Sequence, residues 1–270
     1  CPIIQVEKLK NKNFDKPLCY AAIHKNLEIR FDSTSGGLFS ILADKMYSDN
    51  GYVGGAIYNN NFSVSHFISN EKKDLIALRS SKYLQSDASG FYTNVLELLK
   101  KGEKVLACGL PCQIVGLQTF LGKEYDNLIT IDLICRYINS PLAYRKYLDS
   151  LERQSDSKVT YIKAKNKELG WRQLTHKVVF SNDQTYYGTI RTDKFMKASM
   201  ILNCISRPAC YTCKFKGFPR YADISLGDYW IDQSKSSLDD DTGTSVVLIN
   251  STKGNEYFQT IIKKIKFEPV

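Results

Sequence analysis

Eight cysteines stand in the 270 residues of the chain, and four of them are spaced as ligands. Cys210-Tyr211-Thr212-Cys213 is a C-x2-C pair, a separation that lets two sulfurs converge on one ion or one face of a cluster. Cys112 and Cys135 each follow a short apolar run that reads as a strand, Lys104–Cys108 and Leu128–Ile134. A right-handed crossover through the intervening helix makes those strands parallel, so residues just past their carboxyl ends emerge on one sheet edge. Pro111-Cys112-Gln113 also sets the first sulfur at a helix N-terminus, where unpaired amides and the dipole favour thiolate, the form a metal binds. Cys112, Cys135, Cys210 and Cys213 thus make a four-sulfur set. Such a set can hold an iron-sulfur cluster or a zinc ion, and a lone cysteine is more often a small core residue than a ligand. Cys19, Cys108 and Cys204 have no ligand-like partner and read as packing residues.

Two further motifs carry chemistry. Ser35-Gly36-Gly37 precedes an apolar helical stripe, and amides at such a helix start can receive a phosphate because no side chain blocks the approach; the same residues also serve as a plain helix cap. Arg79-Ser80-Ser81-Lys82-Tyr83-Leu84-Gln85-Ser86-Asp87 concentrates polar and cationic groups between two helical patterns. A lysine there could stabilise a reduced, anionic flavin ring and a tyrosine could pack on it, or the stretch could be an exposed connection. His24, His66 and His176 are scattered, and no general acid is apparent.

The elements that must position these residues follow from periodicity. Leu38, Ile41, Leu42 and Met46 mark a helix face ending near Asn50-Gly51, and the runs 52–58 and 62–68 flank Asn59-Asn60-Asn61 as a strand pair. A helical stretch is expected near 71–79, and Phe91, Val95, Leu98 and Leu99 form another helix that Gly102 ends. The strand 104–108, helix 112–121 and strand 128–134 compose a βαβ unit. Ser140-Pro141 opens a helix with a capping serine and a proline at its first position. Strands are predicted at 159–164, 176–180, 222–226 and 246–249, with a helix at 193–202. The fold class is α/β (mixed α+β): a βαβ core with a partly parallel sheet, then mostly antiparallel strands.

A hydrophobic content of 43% supplies a packed core, and no apolar run approaches a membrane span. The chain reads as soluble and cytoplasmic, where cysteines stay reduced thiols or metal ligands. The net charge of +9 suits anionic partners without choosing among them, and the lysines are spread along the chain apart from Lys214, Lys216 and Arg220. Cys1-Pro2 matches the end of a bacterial ferredoxin run, C-x3-C-P. Residues 1–20 are therefore expected to be the end of an upstream ferredoxin-like module with its linker. Residues 21–270 are expected to be a flavin- and iron-sulfur-binding domain, whose native C-terminus the sequence does not fix.

Taken together, the motifs resemble the coenzyme F420 hydrogenase/dehydrogenase beta-subunit family. The matching stretches are Ser35-Gly36-Gly37, Ser81-Lys82-Tyr83-Leu84-Gln85-Ser86-Asp87, Gly109-Leu110-Pro111-Cys112-Gln113, Asp132-Leu133-Ile134-Cys135, Arg207–Lys216 and Ala222–Asp228, in the same order over nearly the whole chain. The resemblance implies a 4Fe-4S cluster on Cys112, Cys135, Cys210 and Cys213. It implies FAD held in part by Ser35, Gly36, Gly37, Ser81, Lys82, Tyr83, Gln85 and Ser86. It also implies electron flow from a ferredoxin-like module or protein through the cluster to FAD, then as hydride to a small-molecule acceptor, coenzyme F420 or another. Arg136 stands where relatives often carry histidine, and Leu110 where a small polar residue is common. Nucleic acid and membrane are not expected partners. Two rival readings are a non-catalytic four-cysteine zinc module on nucleic acid and an inactive structural partner in polysaccharide synthesis.

Overall fold

The computed structural model describes residues 2–4, 14–230 and 236–270; Cys1, on which the upstream-module reading turns, lies outside them. The first strands are β1 (Leu18–His24), β2 (Tyr52–Tyr58), β3 (Val64–Ser69), the short β4 (Ser86–Asp87), β5 (Val105–Gly109) and β6 (Leu128–Leu133). A separate antiparallel sheet follows, β7 (Val159–Asn166), β8 (Thr175–Phe180) and β9 (Thr185–Gly188), in that order. The chain then returns to the first sheet as β10 (Ile224–Asp228), β11 (Ser245–Ile249) and β12 (Ile265–Pro269). The large sheet runs β12-β1-β11-β10-β6-β5-β2-β3-β4. The boundary expected after residue 20 falls inside β1, which pairs with both β11 and β12.

The βαβ unit forms as its sequence requires. β5 and β6 pair in parallel from Val105↔Leu128 to Gly109↔Asp132, and helix α5 (Pro111–Leu121) crosses between them, numbered after α1 (Leu27–Asp32), α2 (Leu38–Ser48), α3 (Leu75–Leu78) and α4 (Phe91–Lys100). Pro111 sits in the first turn of α5, where its missing N–H costs nothing, and Gly122 closes the helix at φ 71°. β10 extends the parallel set by pairing with β6 through Ile224↔Ile131. The later strands are thus antiparallel except for this one, which continues the order set by the crossover.

Three apolar clusters hold the layers. Leu38, Ile41, Leu42 and Met46 of α2 pack with Phe258 of α8 (Thr252–Gln259) on Ile131, Ile224 and Val247 of the sheet. Val95 and Leu99 of α4 with Leu117 of α5 cover the other face at Val105 and Leu128. Helix α6 (Pro141–Ser155) lays Leu148 and Leu151 on Ile162, Val178 and Phe180 of the small sheet. Its Ser140 cap accepts from the Ala143 amide, as the sequence predicts. The expected helix over 193–202 begins as α7 (Lys194–Met196) and widens into a π turn, Lys197–Ile201. Among the described residues no helix is long and apolar enough to cross a membrane.

Candidate functional site

Where α2, the Arg79–Ser86 segment, the ends of β5, β6 and β10, and the small sheet meet, they enclose a cavity of about 460 Å³. That volume lies in the range of cofactor pockets. Ser35, Gly37, Ser81, Lys82, Tyr83 and Ser86 line it, so six of the eight residues expected to hold a cofactor share one wall system. Gly36 and Gln85 do not. A side chain at Gly36 would put its Cβ 2.4 Å from Ala22 O and 2.7 Å from Ser245 N, so this glycine lets α2 start flush against β1 and β11. Gln85 is exposed and contributes its backbone N–H to Asn139 O at 3.2 Å.

Lys82 has a different use from the one its position suggests. Its ammonium is buried and donates to the carbonyls of Ala77, Leu78, Arg79 and Ser80 at 2.8–3.1 Å, closing the C-terminal end of α3. Burial pulls it down to about 7. The segment around it bends through left-handed conformations at Ser80 (φ 69°) and Tyr83 (φ 52°), a strain that persists only where surrounding contacts enforce it. Gln113 in the first turn of α5 ties this segment to the helix: its Nε2 donates to Ser86 Oγ at 2.8 Å and its Oε1 accepts from Leu110 N at 2.9 Å.

Several cavity residues escaped the sequence reading because their partners are remote in the chain. Lys165 Nζ lies 2.5 Å from Asp228 Oδ2 and over the rings of Trp171 and Trp230, which stack with centroids 4.2 Å apart. His66 packs on Phe91, and its buried Nδ1 has no hydrogen-bond partner among the described residues. Burial holds its imidazole down to about 4. An orphaned buried polar atom of this kind is costly. His176 and Tyr144 also face the cavity.

Cys135 lines this cavity, and Cys112, Cys210 and Cys213 lie near enough to it to act on its thiol. Burial raises the Cys112 thiol, and the sulfurs of Cys213 and Cys210 raise it further. Burial likewise pushes Cys135 up to about 12, with Cys112, Cys210 and Cys213 adding to it and Lys216 opposing. The expectation that the helix start favours thiolate at Cys112 is therefore corrected: desolvation and the sulfurs of Cys213 and Cys210 outweigh the amides. Among the described residues no group of three or more His, Cys, Asp or Glu side chains is arranged to hold a single metal ion. Lys216 Nζ donates to Arg136 O, next to Cys135, and to Cys210 O at 2.8 Å, clamping two of the cysteine segments together. Beneath them the buried pair Arg220–Asp132, 2.8 Å apart, fastens the end of β6. Cys108 packs in the core and touches the cavity, Cys19 is half-buried, and Cys204 is exposed and not a packing residue.

Asn139 joins the two regions. It forms single bridges with Leu84 on one side and Ser206 on the other, and its Nδ2 donates to Tyr83 O at 3.0 Å.

A family model for the C-terminal part of the coenzyme F420 hydrogenase/dehydrogenase beta subunit matches residues 102–270, more than half of the chain. Among solved structures, the fold is similar to that of a chain in the F420-reducing [NiFe] hydrogenase complex from Methanosarcina barkeri, a xenon-derivatised structure. The TM-score is 0.61 at 17% identity, over 94% of this chain and 83% of that one. No curated protein matches by sequence.

Proposed function

The chain belongs to the coenzyme F420 hydrogenase/dehydrogenase beta-subunit family, and from that premise we propose that it is a cytoplasmic iron-sulfur flavoprotein oxidoreductase. The observation that carries this reading is the adjacency of a cofactor-sized cavity to four mutually interacting cysteines, with Cys135 common to both.

Cys112, Cys135, Cys210 and Cys213 would hold a 4Fe-4S cluster and the cavity would hold FAD, which when bound supply one-electron transfer and hydride transfer respectively. The chain's own residues do the rest. The N-terminal amides of α2 after Gly37 offer a phosphate site, with Ser35 and Ser81 as flanking hydroxyls. His66, which lines the cavity, adds a polar side chain to its wall. Trp230 and Lys165, stacked cation on ring, also line the cavity. The electron donor is a ferredoxin-like module or protein, and the hydride acceptor is a small molecule such as coenzyme F420.

Anaerobic purification followed by iron, sulfide and flavin analysis tests the reading. The expected product is yellow-brown and contains all three, and Cys112→Ser loses the cluster absorbance. A colourless protein holding zinc and no flavin would overturn it.

A further inference from the structure

We propose that Tyr144 and His176 form a proton-transfer dyad in the cavity wall, held in one hydrogen-bond polarity by Tyr147 and the buried carboxylate of Asp193. The proposal rests on the reading above, that the cavity takes a redox-active ring.

The polarity follows from the buried end. Asp193 is 0% exposed, and its carboxylate accepts from Tyr147 Oη, from Tyr186 Oη at 3.0 Å and from the Met196 amide at 2.7 Å. An ionised carboxylate only accepts, so Tyr147 spends its proton there and its oxygen must accept in turn. His176 Nδ1, 3.3 Å away, is the donor to it. That assigns the imidazole proton to Nδ1 and leaves Nε2 as an acceptor, 3.1 Å from Tyr144 Oη, which donates. Gly188 makes the arrangement possible: a Cβ there would lie 2.5 Å from Asp193 Oδ2.

The titratable groups facing the dyad are Tyr147 from α6, Asp193 from the turn before α7, Tyr58 from β2 beside Tyr144, and Tyr186 from β9 beside Asp193. Tyr144 and Tyr147 lie nearly parallel to the imidazole at 5.9 and 5.7 Å, and Phe195 packs on both tyrosines, which fixes the rings. The chain runs from the cavity, where Tyr144 and His176 are almost fully buried, to Tyr147 and Tyr186, which are half-buried. A buried polar chain of this length is costly as mere packing, since apolar residues of the same volume would fill the space without desolvating titratable groups.

As the ring passes a hydride to its small-molecule acceptor, Tyr144 Oη takes the proton from a second ring N–H while its own proton moves to His176 Nε2. The imidazolium so formed is balanced by Asp193 across Tyr147. When two one-electron transfers from an iron-sulfur donor reduce the ring again, His176 Nε2 returns that proton through Tyr144 Oη, solvent supplies the second, and the imidazole returns to neutral. No electron passes through the dyad. Burial holds His176 down to about 4, so at neutral pH the imidazole rests uncharged and ready to accept.

The test uses the whole chain, with FAD as probe. Fluorescence titration first measures FAD binding; if the parent protein binds none, the reading of the cavity fails, and the dyad with it. If FAD binds, it is reduced with dithionite and its stopped-flow reoxidation by ferricyanide, the direction in which the neutral dyad accepts a proton, compares the parent with Tyr144→Phe and His176→Ala. The expected result is near-parental FAD affinity with reoxidation slowed about 100-fold, the scale of general acid–base catalysis, and imidazole restoring the rate in His176→Ala but not in Tyr144→Phe. Parental reoxidation rates in both variants overturn the proposal. If a variant fails to fold, 15N NMR of the parent imidazole decides: the Nδ1–H form is expected in the ligand-free protein, and the Nε2–H form overturns the assignment.

Discussion

Taking the protein from pH 7 to pH 5 should destabilise it through His176 alone by roughly 2 kcal/mol. The imidazole is 2% exposed and burial lowers it from 6.5 to about 4, with the Asp193 charge only partly opposing. Between those two values the unfolded chain binds a proton that the native protein refuses. Stability from this group is therefore intact above 6.5, declines as the pH falls, and is gone near 4, a full span of about 3 kcal/mol. Two-state linkage puts just over half of that span between pH 7 and pH 5. The assay is urea unfolding at both pH values for the parent and His176→Gln, whose amide cannot titrate. His66, also held to about 4 by burial, contributes equally to both proteins and cancels in the comparison. The variant is expected to be less stable at pH 7 but to lose about 2 kcal/mol less on acidification. Equal losses in the two proteins, within about 0.5 kcal/mol, would refute the claim that this histidine is buried neutral.

Three other outcomes follow from packing and from the cysteine clamp. Leu148→Ala empties a fully buried position between α6 and the small sheet and should cost about 2–5 kcal/mol in urea unfolding. Gly36→Ala drives a methyl into Ala22 O and Ser245 N and should cost about 1–3 kcal/mol, read as a lowered melting temperature. Lys216→Met releases the carbonyls of Arg136 and Cys210 and should weaken iron retention about 10- to 100-fold in a chelator challenge, while FAD binding measured by fluorescence persists.

Most of the sheet's centre was legible because its signals are local. Strand β5, helix α5 and strand β6 each carry their own periodicity, and Pro111 and Gly122 mark the helix limits within a residue or so. β1 and β12 were missed for opposite reasons. Leu18–Ile23 is an unbroken apolar run with no alternation to mark a face, whereas Ile265–Pro269 is an edge strand in which Lys266 and Glu268 interrupt the apolar residues. The candidate site divides the same way. The cysteine spacing and the lysine motif announce themselves in short stretches, whereas His176 looks isolated because Tyr144, Tyr147 and Asp193 stand 32, 29 and 17 residues away in sequence. Lys82 misled in a subtler way: its position was right for the cavity, but the end of α3 supplies four carbonyls that capture its charge.

Asn139 sets a rule for how such chains can change length over evolution. It lies four residues after Cys135, and its bridge partner Ser206 lies four residues before Cys210, so each tether from bridge to sulfur has a fixed span. An added or deleted residue in either tether would drag a thiol out of the set or unpick the floor of the cavity at Tyr83. Relatives should therefore keep both spacings while the exposed turn between β8 and β9, residues 181–184, lengthens and shortens freely.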